Sequence, residues 1–189
     1  MKNIVIATIK EWNINNYFEL KKELENEYSL YLLTNKDELS FKNIEKINPK
    51  YIFFPHWSWI IPENIYKNYE CILFHMTDLP YGRGGSPLQN LIINKVYNTK
   101  ISALKVTKGL DEGDIYLKED FDISKGSANE IYINASKLIF KKLIPNILKQ
   151  NQTPVRQEGD VVNFKRRTPE QSNIKMLNDV SIANLYDFI

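Results

Sequence analysis

The residues of this 189-residue sequence best suited to chemistry fall in two short segments. His75 directly follows the apolar run Cys71–Phe74 (CILF) and opens the segment HMTDLPYGRGGSPLQN, residues 75–90. In an open parallel sheet, ligands bind beyond the carboxyl ends of the strands, so a polar residue placed there faces a site. Behind His75, Pro80, Gly82, Gly84, Gly85 and Pro87 form a loop in which glycines permit positive φ and close backbone approach. Pro87 is suited to open a helix, with Ser86 as its N-cap, and a helix N-terminus favours anionic groups. The second segment is KGLDEGD, residues 108–114, after a strand expected over Ile101–Val106. That turn is expected to present Asp111 at the same end of the sheet as His75. A carboxylate bonded to an imidazole fixes its tautomer and raises its pKa, as proton transfer near neutral pH requires.

Each residue also has a plainer reading. A lone histidine after a strand is more often structural, and a lone aspartate in such a turn is more often a turn former. Their joint occurrence with a Gly/Pro loop favours catalysis. Arg83 either binds a phosphate or braces its loop, and Asp114 reads as a loop-capping carboxylate. His56, Trp57 and Trp59 could wall a ring-binding site or fill a core. The run Lys165-Arg166-Arg167 reads first as a solvated face, with phosphate contact as the lesser alternative.

The elements that must position these residues alternate between strand and helix. Strands are expected at Ile4–Thr8, Tyr28–Leu33, Tyr51–Phe54, Cys71–Phe74, Ile101–Val106 and Ile115–Phe121. Helices are expected at Asn15–Asn26, Ser40–Ile47 and Ser127–Gln150, the last kinked or ended by Pro145. This rhythm predicts an α/β fold, an open, mostly parallel Rossmann-like sheet with helices on both faces. One domain is expected over 1–189. Its segment 152–189 reads as irregular, with a strand near Val161–Lys165 and the start of a terminal helix at NLYDFI.

Composition narrows the function classes. The 25 basic and 23 acidic residues leave a net charge of +2, which gives no electrostatic reason to expect nucleic acid. The single cysteine, Cys71, cannot form an intramolecular disulfide and reads as a core residue, and with His56 and His75 it makes no metal-ligand set. The N-terminal apolar stretch is too short to span a membrane and lacks a signal-type cleavage site, so a cytoplasmic location is expected.

HMTDLPYGRGG resembles the signature His-x-Ser/Thr-x-Leu-Pro-x-x-x-Gly of the 10-formyltetrahydrofolate-dependent formyltransferases, matching at His75, Thr77, Leu79, Pro80 and Gly84. KGLDEGD is similar to that family's Gly-Leu-Asp-x-Gly loop, and HWSWIIP, residues 56–62, to its folate-site loop. FKRRTPEQSNI resembles the segment that closes its catalytic domain. The resemblance implies His75 and Asp111 as catalytic residues and 10-formyltetrahydrofolate as formyl donor, with no metal. It implies Trp59, Ile60, Ile61, Leu110 and Gly113 at the folate, and Thr77, Asp78, Tyr81, Arg83, Gly84 and Asn90 at the acceptor. The family places an Asn two residues before the His, where this sequence has Leu73. Asn90 and Thr77 are the candidates for the missing donor.

Within the family, a methionyl-tRNA enzyme is expected to carry a C-terminal tRNA-binding domain. A glycinamide ribonucleotide enzyme is expected to carry a Gly/Ser-rich loop after the first strand, which ATIKEWN does not provide. The expected acceptor is therefore a nucleotide-linked amino sugar of the UDP- or dTDP-4-amino-4,6-dideoxy type, as in short sugar N-formyltransferases of the pseudaminic-acid-pathway type that supply surface glycans. The expected partners are small molecules, with no nucleic acid and no membrane, and a homodimer is left open. The alternatives are a non-catalytic folate or sugar-nucleotide binding module, or transfer to an amino acid or glycinamide ribonucleotide.

Overall fold

Short branched runs alternating with amphipathic segments build a six-stranded sheet between two helical layers. The computed structural model describes residues 1–173, 181 and 185–187. In chain order the elements are β1 (Lys2–Ala7), α1 (Glu11–Leu24), β2 (Tyr28–Leu33), α2 (Phe41–Ile47), β3 (Tyr51–Phe54), α3 (Glu63–Tyr66) and β4 (Cys71–His75). They continue with β5 (Tyr81–Gly84), α4 (Pro87–Ile93), β6 (Asn98–Lys105), β7 (Ile115–Asp122), α5 (Ala128–Leu138), α6 (Ile144–Gln150) and β8 (Val162–Phe164).

The main sheet has the order β2-β1-β3-β4-β6-β7, and β5 and β8 form a separate two-stranded sheet. β2, β1, β3 and β4 are parallel, whereas β6 is antiparallel to β4 and to β7. The expected mostly parallel α/β sheet is thus the observed one, with a single reversed strand. Side chains alternate across it. Ile4, Ile6, Phe53, Ile72 and Phe74 pack under α1, α5 and α6, while Val5, Ala7, Ile52, Phe54 and Cys71 pack against Ile44 of α2 and Ile65 of α3.

Three differences from the sequence reading have physical causes. Pro145 does not end the long C-terminal helix. Residues Ile139–Leu143 form a π-helical turn, and the Ile144 N–H bonds the Ile139 carbonyl five residues back. That widened turn accommodates the proline, and helical structure is continuous from Ala128 to Gln150. Part of the glycine loop is strand rather than coil, because β5 pairs in parallel with β8, with Gly84 opposite Phe164. Ser86 does not cap α4: it sits at φ 52 without a side-chain cap bond, and its hydroxyl accepts the Arg167 N–H at 3.1 Å. Residues 185–187 are helical, and the rest of the expected terminal helix lies outside the described residues, as does Ile174. Among the described residues no helix is long and apolar enough to cross a membrane.

Candidate active site

His75 and Asp111 meet by an indirect route. Because β6 is antiparallel to β4, His75 lies opposite Ser102 and Lys105 lies opposite Ile72. The 106–114 connection therefore leaves beside the start of β4, not beside its end as a parallel strand would. It folds back to bring Asp111 Oδ2 within 3.6 Å of His75 Nδ1. The return depends on Gly113, whose Cβ, if present, would lie 1.7 Å from the Lys105 carbonyl oxygen, and on Asp111 itself at φ 55. Asp and Asn occupy that left-handed region more readily than other side chains.

The imidazole and the carboxylate are both buried, and each has a second partner. His75 Nε2 lies 2.7 Å from the Gly82 carbonyl. A carbonyl only accepts, so Nε2 carries the proton and Nδ1 is the nitrogen that faces Asp111. Asp111 Oδ2 accepts the Gly84 N–H at 2.9 Å. Gly84 is required there: its φ is +106, and an added Cβ would come 2.4 Å from the Phe164 carbonyl oxygen.

A cavity of about 700 Å³ opens beside Asp111. Trp57, Trp59, Ile61, Leu73, Leu104 and Leu110 supply its apolar lining. Ile60 is 93% exposed and Leu110 69% exposed at its rim, so apolar surface is presented outward on two loops. The Trp57 indole N–H is buried without a partner. Volume and lining suit a flat, largely apolar ligand with a few polar groups. Trp59, Ile60, Ile61 and Leu110 thus lie together around the cavity, whereas Gly113 is not among its lining residues and serves the turn behind it.

The six residues expected at the acceptor make contacts within the framework of the loop. Asp78 pairs with Lys118 at 2.6 Å, and the Tyr81 ring packs edge-on against Phe164. Arg83 donates from Nε and a terminal nitrogen to Gln157 Oε1 at 3.1 and 2.8 Å, which makes it a brace. Neither candidate for the missing donor is free for that role. Thr77 is wholly buried with its hydroxyl on the Gly82 carbonyl, and Asn90 Nδ2 is spent on the carbonyls of Gly85, Ser86 and Lys165.

Sequence reasoning missed Gln157, whose Nε2 donates to the carbonyls of Asp111 and Gly113, both at 2.8 Å. It joins Arg83 to the aspartate turn from 46 positions away, and nothing local in its segment signals this. Leu104, on the strand before the turn, was missed for a different reason, because only its pairing opposite Leu73 of β4 brings it to the cavity.

His56, at the end of β3, has a different environment. Its Nδ1 accepts from Asn13 Nδ2 at 3.1 Å, and its ring packs edge-on against Tyr132. Burial first, and the Lys10 charge second, push its pKa down to about 4. The unfolded chain takes up a proton near pH 6.5 that the folded chain refuses, so stability falls as pH drops from about 6.5 to about 4. His56→Asn, which tolerates φ 53 and does not titrate, is expected to flatten that fall. Urea unfolding midpoints at pH 7.5 and pH 5 measure the difference, and equal slopes in both proteins would refute it.

The chain is similar over its whole length to a solved methionyl-tRNA formyltransferase from Clostridium thermocellum. The two are 53% identical with a TM-score of 0.95, covering 100% of this chain and 82% of that one. The chain belongs to the formyltransferase family. Curated methionyl-tRNA formyltransferases from Rickettsia massiliae and Rickettsia felis are 33% and 32% identical over 136 and 146 residues. Those matches cover 69% and 75% of this chain but 45% and 48% of the relatives, so the chain spans about half their length. The formyltransferase PseJ from Anoxybacillus kamchatkensis, solved with UDP-4,6-dideoxy-4-formamido-L-AltNAc and tetrahydrofolate, shares the fold. Its TM-score is 0.71 at 15% identity, over 99% of this chain and 97% of that one. No family model matches the chain.

Proposed function

We propose that this protein transfers a formyl group from 10-formyltetrahydrofolate to a primary amine. The observation that carries the reading is the Asp111–His75 pair, 3.6 Å apart, with its carboxylate at the wall of a 700 Å³ apolar cavity. Trp57, Trp59, Ile60, Ile61 and Leu110 would hold the folate. The folate donor supplies an activated one-carbon unit. Asp111, which lines the cavity while His75 does not, meets the amine and accepts its proton. His75 Nδ1, directly behind, shares that proton, and the Gly82 carbonyl keeps the ring oriented from Nε2. The Gly84 N–H fixes the carboxylate, and Gln157 fixes the Asp111 backbone carbonyl behind it.

For the acceptor we propose a nucleotide-linked amino sugar of the 4-amino-4,6-dideoxy type. The composition of the loop at residues 75–92, the near-neutral charge and the fold shared with PseJ support it. The 53% identity to a protein named methionyl-tRNA formyltransferase favours a second reading, methionyl-tRNA. The test offers 10-formyltetrahydrofolate with UDP- and dTDP-4-amino sugars and with methionyl-tRNA in parallel. Formylated sugar as the fastest-formed product is the expected result. Faster formylation of methionyl-tRNA would replace the acceptor, and folate binding with no product from any amine would make the chain a binding module.

A further inference from the structure

The amine attack in the proposed reaction places negative charge on the formyl oxygen, and that charge needs a donor in the cavity. His75 does not supply it, because Nε2 is committed to Gly82 and Nδ1 faces Asp111. The Trp57 N–H is buried away from contact, and Lys105 is held by Glu70 at 2.9 Å. The Leu73 side chain, which lines the same cavity, has no polar atom to offer.

Arg166 lines the same cavity as Asp111 and Leu73. Its backbone is pinned to the catalytic loop on both sides. The Gly85 N–H bonds the Phe164 carbonyl at 3.2 Å, and the Arg167 N–H bonds the Ser86 hydroxyl at 3.1 Å. Gly85 has no Cβ at the point of contact, where one would lie 2.7 Å from Arg166 Cβ. Gly84, the next residue, is the one whose N–H holds Asp111. Arg166 is thus tethered beside the carboxylate, and among the described residues no hydrogen bond or ion pair engages its guanidinium.

We propose that Arg166 is a catalytic residue of this chain, donating to the formyl oxygen as charge develops on it. The assignment rests on the formyl-transfer reading above. The amine lone pair forms the new C–N bond while the carbonyl π pair moves to oxygen. That pair returns as the bond to the folate nitrogen breaks, and the amine's proton passes to the departing nitrogen. A guanidinium remains charged throughout and offers fixed donors to the oxygen.

The test uses fluorescence of the cavity tryptophans to titrate 10-formyl-5,8-dideazafolate and its unformylated counterpart. Wild type is expected to prefer the formylated ligand by about tenfold, as a charge-assisted hydrogen bond gives. Arg166→Ala is expected to bind both alike, with its affinity for the unformylated ligand unchanged. Its transfer rate to the UDP-4-amino sugar, or to water if no amine is used, is expected to fall by about 10²–10³-fold, with partial rescue by methylguanidine. An unchanged preference and rate in Arg166→Ala would overturn the assignment while leaving formyl transfer standing. Lys108 lines the same cavity, and the same losses in Lys108→Ala alone would move the role to that residue. A wild type that binds neither folate, or transfers no formyl group, would overturn the functional reading and this assignment together.

Discussion

Asp111→Asn is expected to lower the rate of formyl transfer by about 10²–10⁴-fold, the range for loss of a positioned general base. The substitution is close to isosteric, and Asn accepts the Gly84 N–H as the carboxylate does at 2.9 Å. Asn also tolerates φ 55, so the turn has no conformational reason to change. What is lost is the negative charge beside His75 Nδ1 and the oxygen that takes a proton. Folate affinity is expected to stay near that of wild type, because Asn keeps the shape of Asp111 at the cavity wall and the tryptophan and aliphatic lining is unchanged. Single-turnover transfer together with tryptophan-quench titration separates the two quantities. A variant with full activity would remove Asp111 from the chemistry.

Gly113→Ala is expected to cost activity of similar size, at least about 10²-fold, without touching any group that reacts. Its added methyl would lie 1.7 Å from the Lys105 carbonyl oxygen, a backbone atom that cannot rotate away. The turn must shift, and Asp111, two residues earlier, shifts with it. Gln157, which grips the carbonyls of both residues, would lose at least one of its bonds. A displacement of about 1 Å at a reacting group is enough for a loss of this order. The expected signature is a fall in kcat with a small drop in Tm, because the central sheet is touched only at Lys105, the last residue of β6. Unchanged kcat would show that the turn has slack the structure does not display.

These two residues also show how far the sequence could be read. His75, Asp111 and the Gly/Pro loop were legible because their residue types are rare in combination and each follows an apolar run. The parallel strands β1 to β4 were legible for the same reason, since short branched runs separated by helical periodicity leave little choice. The reversed direction of β6 was not, because strand direction depends on what its neighbours leave open rather than on its own residues. Asp111 reaches His75 only because the 106–114 connection folds back from the reversed strand. The steric demand at Gly113 becomes visible only when the Lys105 carbonyl is in place. The π-helical turn before Pro145 was hidden because helical periodicity carries no mark of a widened turn. Arg83 and Asn90 are polar residues in a functional loop, but whether they face a ligand or their own backbone is decided by Gln157 and by Lys165, both far along the chain.

The most direct test of the account is a crystal structure of this protein soaked with tetrahydrofolate. The account predicts density for the pterin against Trp57, Trp59, Ile61 and Leu104, with N10, the nitrogen that carries the formyl group in the donor, turned toward the Asp111 carboxylate. Folate bound elsewhere, or a soaked crystal whose cavity stays filled only with solvent, would contradict it.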